Sequence, residues 1–148
     1  MVREFQRSDL ERVLDIWLRS NEEAHSFIPK EYWEGQRETV RTLLPQAELY
    51  VWQGVGEVNG FLGLDGDRIQ GIFVWPAFRG RGIGQDLLDC AKESHDQLTL
   101  HVYQKNRPAI AFYERQGFSV TGEGLDEATG EREFTMHWAP GERGSGRC

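Results

Sequence analysis

Cysteine is nearly absent: Cys90 and Cys148 are the two in a chain of 148 residues, one inside a helical pattern and one at the end of a polar tail. That scarcity argues against a disulfide framework and makes a reducing, cytoplasmic compartment the expectation. The four histidines, His25, His95, His101 and His137, are scattered. None stands at His-x-x-x-His spacing and no Cys-x-x-Cys pair occurs, so no metal site is expected. No apolar run approaches the roughly 20 residues that span a bilayer. The opening MVREFQRSDLERV is charged throughout and lacks the apolar segment of an export signal. Positive charge is short as well: 17 Lys and Arg against 24 Asp and Glu leave a net −7. This balance disfavours nucleic acid and anionic membranes and suits a cationic partner. Glu22, Glu23, Glu31, Glu34 and Glu38 concentrate that acidity, as a solvated face or as an attractor for positive charge.

What is present reads as one domain, residues 1–138, with a tail over 139–148 that has nothing to bury and is expected to be disordered. Val2 to Phe5 reads as a short strand. Ser8 and Glu11 have capping-box spacing. Leu10, Val13, Leu14, Trp17 and Leu18 then form the stripe of an amphipathic helix ending near Ser20. Asn21 to Lys30 reads as a loop, and Glu31 to Leu44 as a second helix stopped by Pro45. From Glu48 the period changes to two: Leu49 to Trp52, Val58 to Leu64 and Arg68 to Val74 read as antiparallel strands joined at glycine-rich turns. A helix over Gly82 to Ser94, a strand over Leu98 to Val102, a helix over Pro108 to Gln116 and a closing hairpin over 118–121 and 133–138 complete the order βααβββαβαββ. The expectation is an α+β fold with a mixed, mostly antiparallel sheet of about seven strands. Its one βαβ unit makes a single parallel pair with a right-handed crossover.

The chemistry gathers at Arg79-Gly80-Arg81-Gly82-Ile83-Gly84, a turn between strand and helix. Glycine lets backbone amides approach an anion, and a helix N-terminus offers about half a positive charge to it. A nucleoside-triphosphate loop is excluded, because Gln85-Asp86 stands where Lys and Ser or Thr are required. A dinucleotide fingerprint is excluded by the glycine spacing and by the three antiparallel strands that come first.

Arg79-x-x-Gly82-x-Gly84 resembles the pyrophosphate loop of the GNAT family of N-acetyltransferases. Asn106-x-x-Ala109-x-x-Phe112-Tyr113-x-x-x-Gly117-Phe118 resembles that family's second signature. The resemblance covers most of residues 1–138 and implies acetyl-CoA as cosubstrate. It implies cofactor contacts from Phe73, Val74, Arg79, Gly80, Arg81, Gly82, Ile83, Gly84, Gln85, Asn106 and Tyr113. Asn106 would hydrogen-bond the pantetheine arm. Tyr113 would act as general acid toward the departing thiolate. An amide N–H near Val74 would polarise the thioester oxygen. The alternative for Tyr113 is a core aromatic beside Phe112.

Amine acetylation needs a neutral nucleophile. For a lysine of pKa about 10.4, deprotonation at pH 7 costs roughly 4 to 5 kcal/mol. Many relatives place a glutamate on the strand before the loop, and this chain has Gln70 there, which cannot take a proton. His101 is a candidate base or a solvent-facing strand residue. His25 and Glu31 border the region where relatives bind the acceptor, or are loop and surface residues. Trp75 lines an acceptor channel or packs in the core. Direct attack in a ternary complex is favoured over an acyl-cysteine route, because Cys90 should point away from the thioester. The expectation is transfer to a primary amine, protein lysine ahead of a small cationic amine such as a polyamine or drug. A non-catalytic acyl-CoA-binding module stands as the rival class. Monomer and homodimer both remain open.

Overall fold

The computed structural model describes residues 1–140; residues 141–148 of the expected tail lie outside them. The strands are β1 (Val2–Glu4), β2 (Glu48–Gln53), β3 (Val58–Asp65), β4 (Arg68–Val74), β5 (Leu98–Tyr103), β6 (Ser119–Asp126) and β7 (Glu131–Trp138). The helices are α1 (Leu10–Ala24), α2 (Lys30–Leu43), α3 (Ile83–Glu93) and α4 (Arg107–Arg115). The chain order is the expected one. The seven strands form one sheet in the order β1-β2-β3-β4-β5-β7-β6, antiparallel except between β4 and β5.

Two apolar layers cover the two faces. Leu62, Leu64, Leu87, Leu88, Leu98, Leu100 and Met136 meet under α3 and α4, and Val13, Leu14, Ile16, Val51 and Phe61 meet under α1 and α2. β3 is buried from Val58 through Leu64, the mark of a central strand covered on both faces. Within it Gly60 lets α3 come close: a Cβ there would stand 2.8 Å from Ile83 Cγ2 and 3.0 Å from the Phe73 carbonyl oxygen.

Three local expectations are corrected. The capping box is not Ser8 with Glu11 but Gln6 with Asp9, around the short 3-10 turn Arg7–Asp9 that precedes α1. Both guanidinium nitrogens of Arg3 reach Asp9 at 2.9 Å, and Asp9 Oδ2 also accepts from the Gln6 amide at 2.8 Å. This holds the Asp9 carboxyl below its ordinary range, through the Arg3 hydrogen bond first. Secondly, α1 does not stop near Ser20. It runs one more turn to Ala24 because Asn21, buried here, donates its amide to the Trp17 carbonyl at 2.9 Å instead of breaking the helix. The hairpin β6–β7 is also longer than expected, pairing as far as Asp126 with Glu131.

Candidate functional site

β4 and β5 pair only at Arg68 with Thr99 and Ile69 with Leu100; beyond those two rungs the strands separate. The opening lies at their C-terminal ends, where the glycine turn and the start of α4 also lie. Trp75 N–H donates to the Asn59 carbonyl at 2.8 Å, which sets the alternation along β4. Phe73 therefore exchanges with β3, and the polar groups of Ile72 and Val74 point toward the opening. One of them is already used: Ser20 Oγ of α1 donates to the Val74 carbonyl at 3.0 Å. Phe73 itself stacks on Phe61 at 4.9 Å on the α1 side.

The turn has the backbone its glycines predict. Gly80 has φ 78° and Gly82 φ 83°, left-handed values that a side chain makes costly. A Cβ at either would meet nothing within 4 Å, so the requirement is conformational and not steric. Gly82 is the N-cap of α3 and no side chain caps it. The first helical bond runs from Asp86 N–H to the Gly82 carbonyl at 3.0 Å, leaving the amides of Ile83, Gly84 and Gln85 without intrahelical acceptors. Asp86, the acidic residue in this turn, is held by Trp52 Nε1 at 3.0 Å. Arg81 lies 5.0 Å over the Phe78 ring, and Arg79 reaches Glu23 at 3.8 Å. Uncapped amides flanked by two arginines fit a diphosphate. Gly84 is helical and closes α3 against α4, where its Cβ would stand 3.4 Å from Phe112.

Tyr113 is buried, between Phe112 at 5.4 Å and Phe118 at 5.5 Å. Burial alone pushes its hydroxyl well above the ordinary tyrosine value, so the phenol keeps its proton. It belongs to the α3 and α4 layer. His101 belongs to the other face. Leu98, Leu100 and Val102 point into the core, so Thr99, His101 and Tyr103 alternate away from it. His101 is half-exposed, with Nδ1 3.4 Å from Thr135 Oγ1 and 3.9 Å from Glu133 Oε1. Burial raises the Glu133 carboxyl above its ordinary value, partly offset by His101.

His25 is where sequence reasoning fell furthest short. Its Nδ1 stands 3.0 Å from Asn21 Oδ1 and its Nε2 3.0 Å from Asn106 Nδ2, so both ring nitrogens are engaged. The ring packs on Trp33 at 5.5 Å, Tyr103 at 4.9 Å and Phe27 at 5.7 Å. Burial, then the Arg79 charge, push it down to about 4, which keeps it neutral near pH 7. Tyr103, also missed, donates to Asp126 Oδ2 at 2.5 Å and so ties β5 to the end of β6. Lys105 Nζ lies 5.4 Å over the Phe27 ring and 3.2 Å from Glu131.

The remaining candidates sit apart. Gln70 is the extra residue of a bulge between β3 and β4 and opens onto a cavity of about 610 Å³ that Trp17, Leu43 and Phe73 also line. Glu31 is exposed in the first turn of α2. Trp75 carries Arg12 at 4.4 Å and Arg19 at 5.6 Å over its ring, packing it against α1. The Cys90 thiol is pushed up by burial, with Glu93 and Glu48 adding to the effect, and so resists becoming a thiolate.

A family model described as an acetyltransferase (GNAT) domain matches residues 45–120. The peptidyl-lysine N-acetyltransferase YiaC of Escherichia coli is 38% identical over 140 residues, covering 93% of this chain and 96% of the relative. The peptidyl-lysine N-acetyltransferase YjaB of the same organism is 35% identical over 124 residues, covering 82% and 83%. The solution structure of apo-form YjaB superposes with a TM-score of 0.84 at 30% identity, covering 93% of this chain and 96% of that one.

Proposed function

The chain belongs to the GNAT family of acetyltransferases, and from that membership and the geometry of its glycine turn we propose that it acetylates lysine side chains within proteins. It is an N-acetyltransferase that uses acetyl-CoA as cosubstrate.

The observation that carries the site is the separation of β4 from β5 directly beside an uncapped helix N-terminus. In this reading the amides of Ile83, Gly84 and Gln85, with Gly80, Gly82, Arg79 and Arg81, hold the diphosphate. The freed edge of β4, through the polar groups of Ile72 and the Val74 amide, guides the pantetheine arm, with Asn106 opposite; Phe73, bonded to β3, is not part of that edge. Acetyl-CoA supplies an acyl carbon already activated as a thioester. The lysine nitrogen bonds to that carbon as the carbon–sulfur bond breaks, and the amine gives up a proton. His101 is the candidate acceptor of that proton. Its Nδ1 faces Thr135 and Glu133, which leaves Nε2 available.

Tyr113 serves the leaving sulfur. A phenol with a raised pKa would move its proton uphill to a thiolate of pKa about 8.5, so its main contribution is a charge-assisted hydrogen bond to the developing charge. The phenol proton passes to the sulfur as CoA departs as a thiol, and Tyr113 regains a proton from solvent before the next turnover.

Protein lysine is favoured by the relatives named as peptidyl-lysine acetyltransferases. It is favoured too by aromatic and acidic groups on the His101 face: Phe27 and Tyr103 beside Asp126, Glu131 and Glu133. Lys105 already shows an ammonium seated on that surface. The test is release of free CoA on incubation with lysine peptides and with polyamines, and mass spectrometry of the products. Acetyl-lysine peptide is the expected product. Acetylated polyamine alone would move the acceptor to the small-amine class, and no transfer to any amine would favour a binding module.

A further inference from the structure

We infer that His25 is a positioning residue for the cofactor: it fixes the Asn106 carboxamide through a hydrogen-bond chain whose direction the fold leaves no freedom to reverse. The inference rests on the reading of Asn106 as a partner of the pantetheine arm.

The chain has four links. At one end Asn106 caps α4, its Oδ1 accepting from the Ala109 amide at 3.4 Å. A backbone N–H can only donate, so Oδ1 is the end turned to the helix and Nδ2 the end turned to His25. At the other end Asn21 Nδ2 donates to the Trp17 carbonyl at 2.9 Å. A carbonyl can only accept, so Asn21 presents Oδ1 to His25. His25 is thereby read from both sides. Nδ1 must donate to Asn21 Oδ1, and Nε2 must accept from Asn106 Nδ2, each at 3.0 Å. This is the neutral ring in one tautomer. A protonated ring would set an N–H of His25 against an N–H of Asn106.

The same ring is clamped by Trp33, Phe27 and Tyr103, and Tyr103 is itself pinned to Asp126. Its place is therefore set by α2, β5 and the end of β6 as well as by α1. With Nδ2 held by His25 and Oδ1 by the helix cap, the plane of the Asn106 amide is fixed. One Nδ2 hydrogen and one Oδ1 lone pair remain for a ligand. Both His25 nitrogens are spent, so this residue takes no proton from the acceptor. The α1–α2 junction and the start of α4, 81 residues apart, share one polar connection.

The test combines three variants with a measurement on the unaltered protein. His25→Phe keeps the ring packing and removes both bonds. Acetyl-CoA affinity, read by calorimetry, should fall about fivefold, the worth of one neutral hydrogen bond. KM for acetyl-CoA should rise accordingly while kcat stays within about twofold. His25→Gln can donate to Asn21 and accept from Asn106 and should restore affinity. In an Asn106→Ala background, which itself weakens binding, His25→Phe should add nothing further. Should His25→Phe not fold, nitrogen NMR of the unaltered protein decides: Nδ1 must carry the proton and Nε2 must not. A proton on Nε2, or equal effects of His25→Phe with and without Asn106, overturns the inference. A loss of kcat at unchanged KM that takes the low-pH limb of the rate profile with it would make His25 a base and overturn it as well. If Asn106→Ala itself binds acetyl-CoA normally, the reading of Asn106 fails instead, and the His25 tautomer can still be tested by itself.

Discussion

Acidification from about pH 7.5 to about pH 5 should remove roughly 2 kcal/mol of folding stability through His25 alone. The folded protein holds this side chain at about 4, from an ordinary 6.5, first by burial and then through Arg79, whose pairing with Glu23 at 3.8 Å tempers the repulsion. Between those two values the unfolded chain binds a proton that the folded chain refuses, so stability rises with pH across that window and falls as pH drops through it. The full separation corresponds to about 3 kcal/mol, and about two thirds of it is lost by pH 5. Carboxylates such as Asp9 and Glu133 titrate too, so the comparison is made against His25→Gln, which keeps both hydrogen bonds and does not titrate. Urea unfolding of the two proteins at both pH values and constant salt gives the difference. The unaltered protein should lose about 2 kcal/mol more than the variant. Equal losses would refute the neutral, buried histidine and the chain of bonds built on it.

Other expectations follow from single residues. Tyr113→Phe keeps the buried ring and should lower kcat at least tenfold, an estimate for loss of a hydrogen bond to a charged leaving group, with acetyl-CoA affinity nearly unchanged by calorimetry. An unchanged rate would take Tyr113 out of the reaction. Gly82→Ala should cost about 1 to 2 kcal/mol in thermal or urea unfolding, since its Cβ meets no neighbour and only the left-handed backbone opposes it. Gly82→Glu should also weaken acetyl-CoA binding by placing a carboxylate at the diphosphate, and an affinity equal to that of Gly82→Ala would move the anion site elsewhere. Gly60→Ala should cost about 1 to 3 kcal/mol, because Ile83 and the Phe73 carbonyl stand too close for a methyl group. Cys90→Ser should leave turnover unchanged, and trapping an acetyl group on Cys90 would contradict direct attack.

Much of the architecture was legible because it is written in local pattern. The two-residue period of β2 to β5, the helical stripe from Leu10 to Leu18 and the strand-turn-helix step at residue 79 each reflect neighbours in sequence, and they returned the element order and the single parallel pair. The backbone of the glycine turn was legible for the same reason, since the left-handed conformation at Gly80 and Gly82 is one that glycine suits. The ends of elements were less so. Ser8 had the right spacing for a cap, but the box forms between Gln6 and Asp9, whose carboxylate is held by Arg3 of the neighbouring strand.

The sequence by itself determined the fold class, the left-handed glycine turn before α3 and the placing of Tyr113 on the last helix, because turn geometry and periodicity are short-range properties. Only the tertiary structure decided what His25 bonds to. Its partners arrive from α1, α2, β5 and α4, and a proton's position on an imidazole is set by which donors and acceptors the fold brings to within 3.0 Å of it. Spacing along a chain carries no record of that.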